Sequence, residues 1–148
     1  LFAINPNGGE ALQLTKAEQG VGSHQWSPDG KQIAFTQTET APAADKGRRD
    51  ALGDFDIVRR EYAHTHLWTI DVAAAMTMPQ AGTVRTKGKD FTVGGYSWSP
   101  DSTRIAFSAQ VSPDLTQGHT SDIYLLTLDG DRVTRLVDLR GPDSGPRW

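Results

Sequence analysis

His64 and His66 stand two residues apart. On a strand such residues share a face, so the pair could turn two imidazoles toward one metal ion. A zinc site takes at least three protein ligands. No third residue with ligand spacing lies nearby, and the spacing favours a hydrogen-bonded or exposed pair. Asp54, Asp56 and Glu61 beside Arg59 and Arg60 are the residue types of general acid–base chemistry. They are equally those of a solvated loop, the default for such a run. Gly141-Pro142-Asp143-Ser144-Gly145 sets a serine between glycines, but its spacing is not the Gly-x-Ser-x-Gly of a nucleophile elbow. Gly20-Val21-Gly22 precedes an expected strand, so no helix N-terminus is there to cradle phosphate. No catalytic, cofactor-binding or metal-ligating residue is therefore assigned.

The elements that must carry these residues are marked by a repeated stretch. His24-Gln25-Trp26-Ser27-Pro28-Asp29-Gly30-Lys31-Gln32-Ile33-Ala34-Phe35 returns as Tyr96-Ser97-Trp98-Ser99-Pro100-Asp101-Ser102-Thr103-Arg104-Ile105-Ala106-Phe107. In each copy a Trp ends one strand, Ser-Pro-Asp makes a turn, and Ile-Ala-Phe opens the next strand. Proline presets the second position of a type I turn, and Gly30 can take the left-handed conformation that brings the chain back in register. Ser102 stands where Gly30 does, so a positive φ there would strain it by roughly 1–2 kcal/mol. On that basis Ser102→Gly is expected to stabilise.

A second motif occurs three times, as Leu1-Phe2-Ala3-Ile4, Leu67-Trp68-Thr69-Ile70 and Ile123-Tyr124-Leu125-Leu126. Ala11-Leu12-Gln13-Leu14 follows the first copy and Val133-Thr134-Arg135-Leu136 the last. The unit thus has four strands: a ends in Trp, b holds Ile-Ala-Phe, c is the apolar–aromatic run, and d closes it. Leu1 to Leu14 and Ile123 to Leu136 are each 13 positions, and Leu14 to Trp26 and Leu136 to Trp148 are each 12. Trp26 to Trp98 is 72 positions against 50 for Trp98 to Trp148. The excess of 22 divides into 16 between strands b and c and 6 between Leu67 and Trp98, around Ala73 to Gln80.

Four-stranded units at such a period predict an all-β fold, a β-propeller segment of antiparallel blades in an incomplete ring. The expected layout is strands c and d of one blade over 1–15, a second blade over 23–87, a third over 95–138, and the start of a fourth at 146–148. Ile33 and Phe35 should point to one face of their blade and Ala34 to the other, both faces being apolar as in a sheet between neighbours. An insertion covers 39–64. Its part from Thr40 to Gly47 reads as a loop, and Asp56 to Tyr62 as an extra strand or an early start of strand c. A ring needs four to eight blades, so the chain reads as a piece of a longer protein, with apolar blade faces that could drive self-association.

Composition sets the outer limits. The 148 residues contain 36% hydrophobic and 22% charged residues and no cysteine, which is globular and leaves neither disulfides nor thiolate metal sites. No apolar run approaches the ~20 residues of a membrane-spanning helix. A net charge of −3 with scattered basic residues argues against a nucleic-acid surface. The opening Leu1-Phe2-Ala3-Ile4-Asn5-Pro6 lacks the basic and apolar regions of a signal peptide, and both cytoplasm and periplasm stay open as compartments.

The Trp-Ser-Pro-Asp-Gly hairpin with Lys31-Gln32-Ile33-Ala34-Phe35, the stretch Arg60-Glu61-Tyr62-Ala63-His64-Thr65-His66-Leu67-Trp68-Thr69-Ile70-Asp71, and Ser121-Asp122-Ile123-Tyr124-Leu125-Leu126 resemble the N-terminal propeller of the prolyl oligopeptidase family of serine peptidases. The branch of acylaminoacyl- and dipeptidyl-peptidases is the most similar. The hairpin alone is shared with TolB-type propellers; the aromatic strand after His-Thr-His and a long insertion tilts the resemblance to the peptidases. It implies a non-catalytic segment that caps and gates a C-terminal α/β-hydrolase domain and admits short peptides. None of that domain's triad residues maps onto this chain. The alternative is part of a TolB-like periplasmic propeller serving as a protein-binding module. No cofactor is implied by either.

Overall fold

The computed structural model describes residues 1–40, 43–53 and 62–148. Three antiparallel sheets follow one another along the chain. β1 (Phe2–Ala3) pairs with β2 (Leu12–Gln13). β3 (His24–Trp26), β4 (Gln32–Thr38), β5 (Thr65–Asp71) and β6 (Thr83–Val84) make a four-stranded meander. β7 (Thr92–Trp98), β8 (Arg104–Gln110), β9 (Asp122–Thr127) and β10 (Arg132–Arg135) make the next. Each meander is a propeller blade, and the ring they belong to is not closed.

The two Trp-Ser-Pro-Asp hairpins superpose in register. Trp26 lies opposite Ile33 and His24 opposite Phe35; Trp98 lies opposite Ile105 and Tyr96 opposite Phe107. Their turns are built alike. Gly30 N–H donates to Ser27 O at 2.9 Å, and Ser102 N–H to Ser99 O at 2.9 Å. The hydroxyls of Ser27 and Ser99 donate to Asp29 Oδ1 and Asp101 Oδ1 at 2.6 Å, and accept the N–H of Gln32 and Arg104 at 2.9 Å. Side chains thus satisfy the backbone groups a tight turn leaves over. Gly30 has φ 72° and Ser102 φ 60°, so both hairpins close through the left-handed region.

Alternation along the second strand of each blade creates two apolar faces. Ile33 and Phe35 join Leu14, Ile70 and Ala75 in the core on the β1–β2 side. Ala34, between them, joins Leu67 in the core shared with Val93, Tyr96, Trp98, Ile105 and Phe107 of the following blade. Each blade thus offers large side chains backward and a small alanine forward, which lets the next blade's Ile and Phe approach closely.

Among the described residues two α-helices interrupt the pattern. α1 (Ala43–Leu52) occupies part of the insertion, and this corrects the loop reading of Thr40 to Gly47 over the described residues. Its Ala, Lys, Arg and Leu are good helix formers, which a reading based on Pro42 and Gly47 overlooked. The extra strand expected at Asp56 to Tyr62 lies outside the described residues except for Tyr62, which is not in a strand. α2 (Val72–Thr77) fills the connection from β5 to β6, with Asp71 Oδ1 accepting Ala74 N–H at 2.8 Å as its N-cap.

Candidate functional site

β4 and β5 run together as far as Thr38 opposite Thr65, whose hydroxyls lie 2.9 Å apart. The next pair closes the neck of the insertion. Glu39 N–H donates to His64 O at 2.8 Å, and His64 N–H donates back to Glu39 Oε2 at 3.1 Å. His64 and His66 do share a face, as the two-residue spacing requires. Their rings stack with centroids 6.5 Å apart, and both side chains are buried.

Each imidazole has structural partners. His64 Nδ1 donates to Phe91 O at 3.1 Å, tying the neck to the chain entering the next blade. Thr86 Oγ1 accepts Leu67 N–H at 2.9 Å and lies 3.3 Å from His66 Nδ1. The hydroxyl proton is then free to go to Nδ1, which leaves the ring proton on Nε2. That Nε2 is 3.3 Å from Glu39 Oε1 but off the line of a hydrogen bond, so it is buried without a true partner. Burial pushes the His66 pKa below the usual histidine value, outweighing the pull of the Glu39 carboxylate in the other direction. His66 is therefore neutral near pH 7.

Thr86, His66 and Glu39 stand in the order hydroxyl, imidazole, carboxylate, the order of a nucleophilic triad. The chemistry does not follow from the order. Thr86 is 2% exposed and its hydroxyl holds a backbone N–H, so no substrate carbonyl can reach it. These three groups fasten a loop. Among the described residues no three His, Cys, Asp or Glu side chains gather in the manner of a metal site.

The neck opens into a cleft of about 660 Å³ between the β2–β3 connection and the start of the insertion. Trp68 forms an apolar wall, Glu39 and His66 a polar one, and Lys16, Lys89 and Tyr62 reach its lining. Tyr62 donates its hydroxyl to Asp114 Oδ2 of the following blade at 2.8 Å. The Asp114 carboxyl is held below the usual carboxylate value by the Thr116 N–H and hydroxyl and then by Tyr62. A site of this composition can hold a polar ligand by hydrogen bonds and by stacking on Trp68.

The remaining candidates are dispersed. Ser144 is exposed in an irregular connection where Asp143 N–H donates to Ser121 O at 2.7 Å. Gly22 N–H donates to Thr36 O at 2.8 Å, so the Gly20-Val21-Gly22 stretch extends a sheet edge. Asp54, Asp56, Arg59, Arg60 and Glu61 lie outside the described residues. Glu39 and Thr86, which flank the His66 ring, were not singled out from sequence. Pairing the hairpin outward from Gln32 and Asp71 would have brought Glu39 to the neck, since register fixes each later pair; Thr86 left no such signal.

Comparison with known proteins agrees with this architecture. No family model matches the chain. Its sequence is 25% identical to dipeptidyl-peptidase 5 of Porphyromonas endodontalis over an alignment of 168 positions, covering 100% of this chain and 24% of that protein. A TolB-assigned structure from Agrobacterium tumefaciens matches with TM-score 0.57 and 18% identity, over 95% of this chain and 41% of its own. The tricorn protease matches with TM-score 0.56 and 10% identity, over 86% of this chain and 11% of its own. The chain thus spans about a quarter of the curated relative's length. It is a segment of a four-stranded-blade β-propeller, similar in fold to TolB and to the tricorn protease and in sequence to a dipeptidyl-peptidase.

Proposed function

We propose that this chain is the non-catalytic propeller segment of a serine peptidase, capping and gating an α/β-hydrolase active site that lies elsewhere in the same protein. The observation that carries this reading is the similarity to dipeptidyl-peptidase 5 along the whole of the chain. The site geometry accords with it. His66, the buried base, is locked into a loop clasp, and the hydroxyl beside it is spent on the backbone. Chemistry is then left to another domain, and the ring selects short peptides by excluding folded proteins. The experiment is serine-directed fluorophosphonate labelling of the full-length protein, with release from dipeptidyl-anilide substrates measured in parallel. Labelling with peptide turnover, and no cleavage of a folded protein, is the expected result. Absence of both label and turnover would overturn the reading.

A second reading is favoured by the TolB match over 95% of the chain: a propeller that binds a protein partner and carries no hydrolase. It predicts no label, and a stoichiometric complex with a partner retained through gel filtration.

A further inference from the structure

Trp26, Trp98 and Trp148 occupy one repeated position of the sequence, yet their surroundings differ. Trp98 is 6% exposed, while Trp26 and Trp148 are each 51% exposed. Trp98 Nε1 donates to Gln25 O at 3.3 Å, and Trp148 Nε1 donates to Ser97 O at 3.2 Å. Gln25 is the residue before Trp26, and Ser97 the residue before Trp98. The same donor thus meets the same acceptor one blade back, twice. The physical reason lies in the strand. Gln25 and Ser97 lie opposite Ala34 and Ala106, at hydrogen-bonded positions of ladders whose next bonds run from Ser27 N–H to Gln32 O and from Ser99 N–H to Arg104 O, so each carbonyl already accepts one ladder bond. A carbonyl oxygen keeps a second lone pair and an indole N–H can only donate, so each Trp adds a second bond to a carbonyl of the neighbouring blade.

The contact does not stand alone. Between the same two blades Gln25 Nε2 donates to Tyr96 O at 3.0 Å, and Asp29 N–H donates to Ser102 Oγ at 3.1 Å. The Arg104 guanidinium lies 5.0 Å from the centre of the Trp148 ring, a distance at which a cation is attracted to an indole face.

The geometry points to an interaction surface at Trp26, whose occupant is strand a of the blade that has β1 and β2 as its strands c and d. This rests on the chain being a propeller segment. Trp26 donates its indole N–H to the backbone carbonyl one residue before that strand's own Trp-equivalent position, continuing the series seen at Trp98 and Trp148. The core beside it already contains strand c of that blade, since Leu1 and Ala3 pack against the cluster of Ile33 and Phe35. A strand placed inside β1–β2 completes the same face.

The test is N-bromosuccinimide oxidation of the full-length protein at a low reagent ratio, read at each Trp by peptide mass spectrometry, with light scattering on the same sample. Trp26 is expected to lose its reactivity and to be as protected as Trp98, in a monomer, and to stay protected on dilution. Oxidation of Trp26 at the rate of an exposed indole, with Trp98 protected, would overturn the assignment. So would protection that vanishes when a dimer is diluted to monomer, because the occupant would then be a second copy. Trp26→Phe should lower the melting temperature by as much as Trp98→Phe does; a variant that fails to fold leaves the wild-type oxidation result standing. The peptidase reading fails separately, by absent serine labelling, and neither oxidation result depends on it.

Discussion

Ser102 shows how one hydroxyl changes the sign of an energetic expectation. Its φ of 60° carries the Cβ clash expected from its alignment with Gly30, of roughly 1–2 kcal/mol. The same side chain is buried and accepts Asp29 N–H from the preceding blade's turn, a bond with a net contribution of about 0.5–1.5 kcal/mol. Ser102→Gly relieves the first and forfeits the second, so the melting midpoint should change little in place of the rise expected from sequence. Ser102→Ala keeps the strain and loses the bond, and should melt lowest of the three in the full-length protein. An alanine variant melting above the glycine variant would contradict this. Two titrations belong to this scale. The Asp101 carboxyl is held down at about 2 by the Ser99 hydroxyl first, then by the Thr103 hydroxyl and N–H. A lowered carboxylate pKa means the folded state binds fewer protons, so its contribution is whole above about pH 4 and is lost as pH falls toward 2. Asp101→Asn should flatten that decline in melts run against pH. For His66 the folded value is lowered by burial, against the raising effect of Glu39. The unfolded chain therefore takes up its proton first as pH drops below about 6.5. His66→Gln should remove the part of the stability loss that begins there, while Asp101→Asn should leave that part in place.

At the scale of elements, legibility followed periodicity. The strand pairs with Trp, Ile and Phe were readable because an alternating pattern and a Pro-Asp turn point to one register. The connections were not. The six extra residues near Ala73 could be counted, but their helix is set by Asp71 as N-cap and by Ala75 buried against Ile33, Phe35 and Ile70, and the second of these is a tertiary fact. α1 was missed for a related reason: a ten-residue helix is marginal without packing, and composition alone did not separate it from a loop. The Glu39–His64 clasp needed only the β4–β5 register carried one residue further, whereas Thr86 reaches His66 across twenty positions of chain. Gly82 gives a test of how tightly the second blade is built. Its φ is +90°, and a Cβ there would lie 2.9 Å from Phe35 Cζ and 3.4 Å from Thr69 O. Gly82→Ala combines left-handed strain with overpacking and should cost roughly 2 kcal/mol or more. Pairing it with Phe35→Leu should recover part of that loss if the ring contact is the cause, because neighbouring substitutions couple. Purely additive denaturant midpoints would show that backbone strain accounts for all of it.

At the scale of the molecule, the two flanks of the segment govern its behaviour. Phe2, Ile4 and Trp26 are exposed beside the first sheet, and Leu136, Leu139 and Trp148 beyond the last. On β9, Ile123 and Leu125 are half-exposed on the face opposite Leu126 and Tyr124, which pack into the shared core. That outward face corresponds to the one by which Ala34 and Leu67 receive the following blade. The sequence exposed this logic through its repeat, since a blade apolar on both faces implies a neighbour on each. The chain spans about a quarter of its curated relative's length, and the hydrolase chemistry proposed for the full-length protein rests on resemblance, because no nucleophile-elbow motif lies within these residues. Separated from any neighbour, the 148-residue chain should therefore associate with itself. Monomers seldom expose contiguous apolar patches beyond about 300–600 Å², and the two flanks differ, with Phe2 and Ile4 on one and Ile123 and Leu125 on the other. A contact between unlike faces is heterologous and does not close as a dimer unless the rotation happens to suit a ring. The expected outcome in light scattering is a mass that climbs with concentration without a plateau at two chains, and that falls when Trp148 is replaced by a charged residue. A stable monomer with a cooperative melt at high concentration would show that the flanks repack on themselves and do not seek another blade.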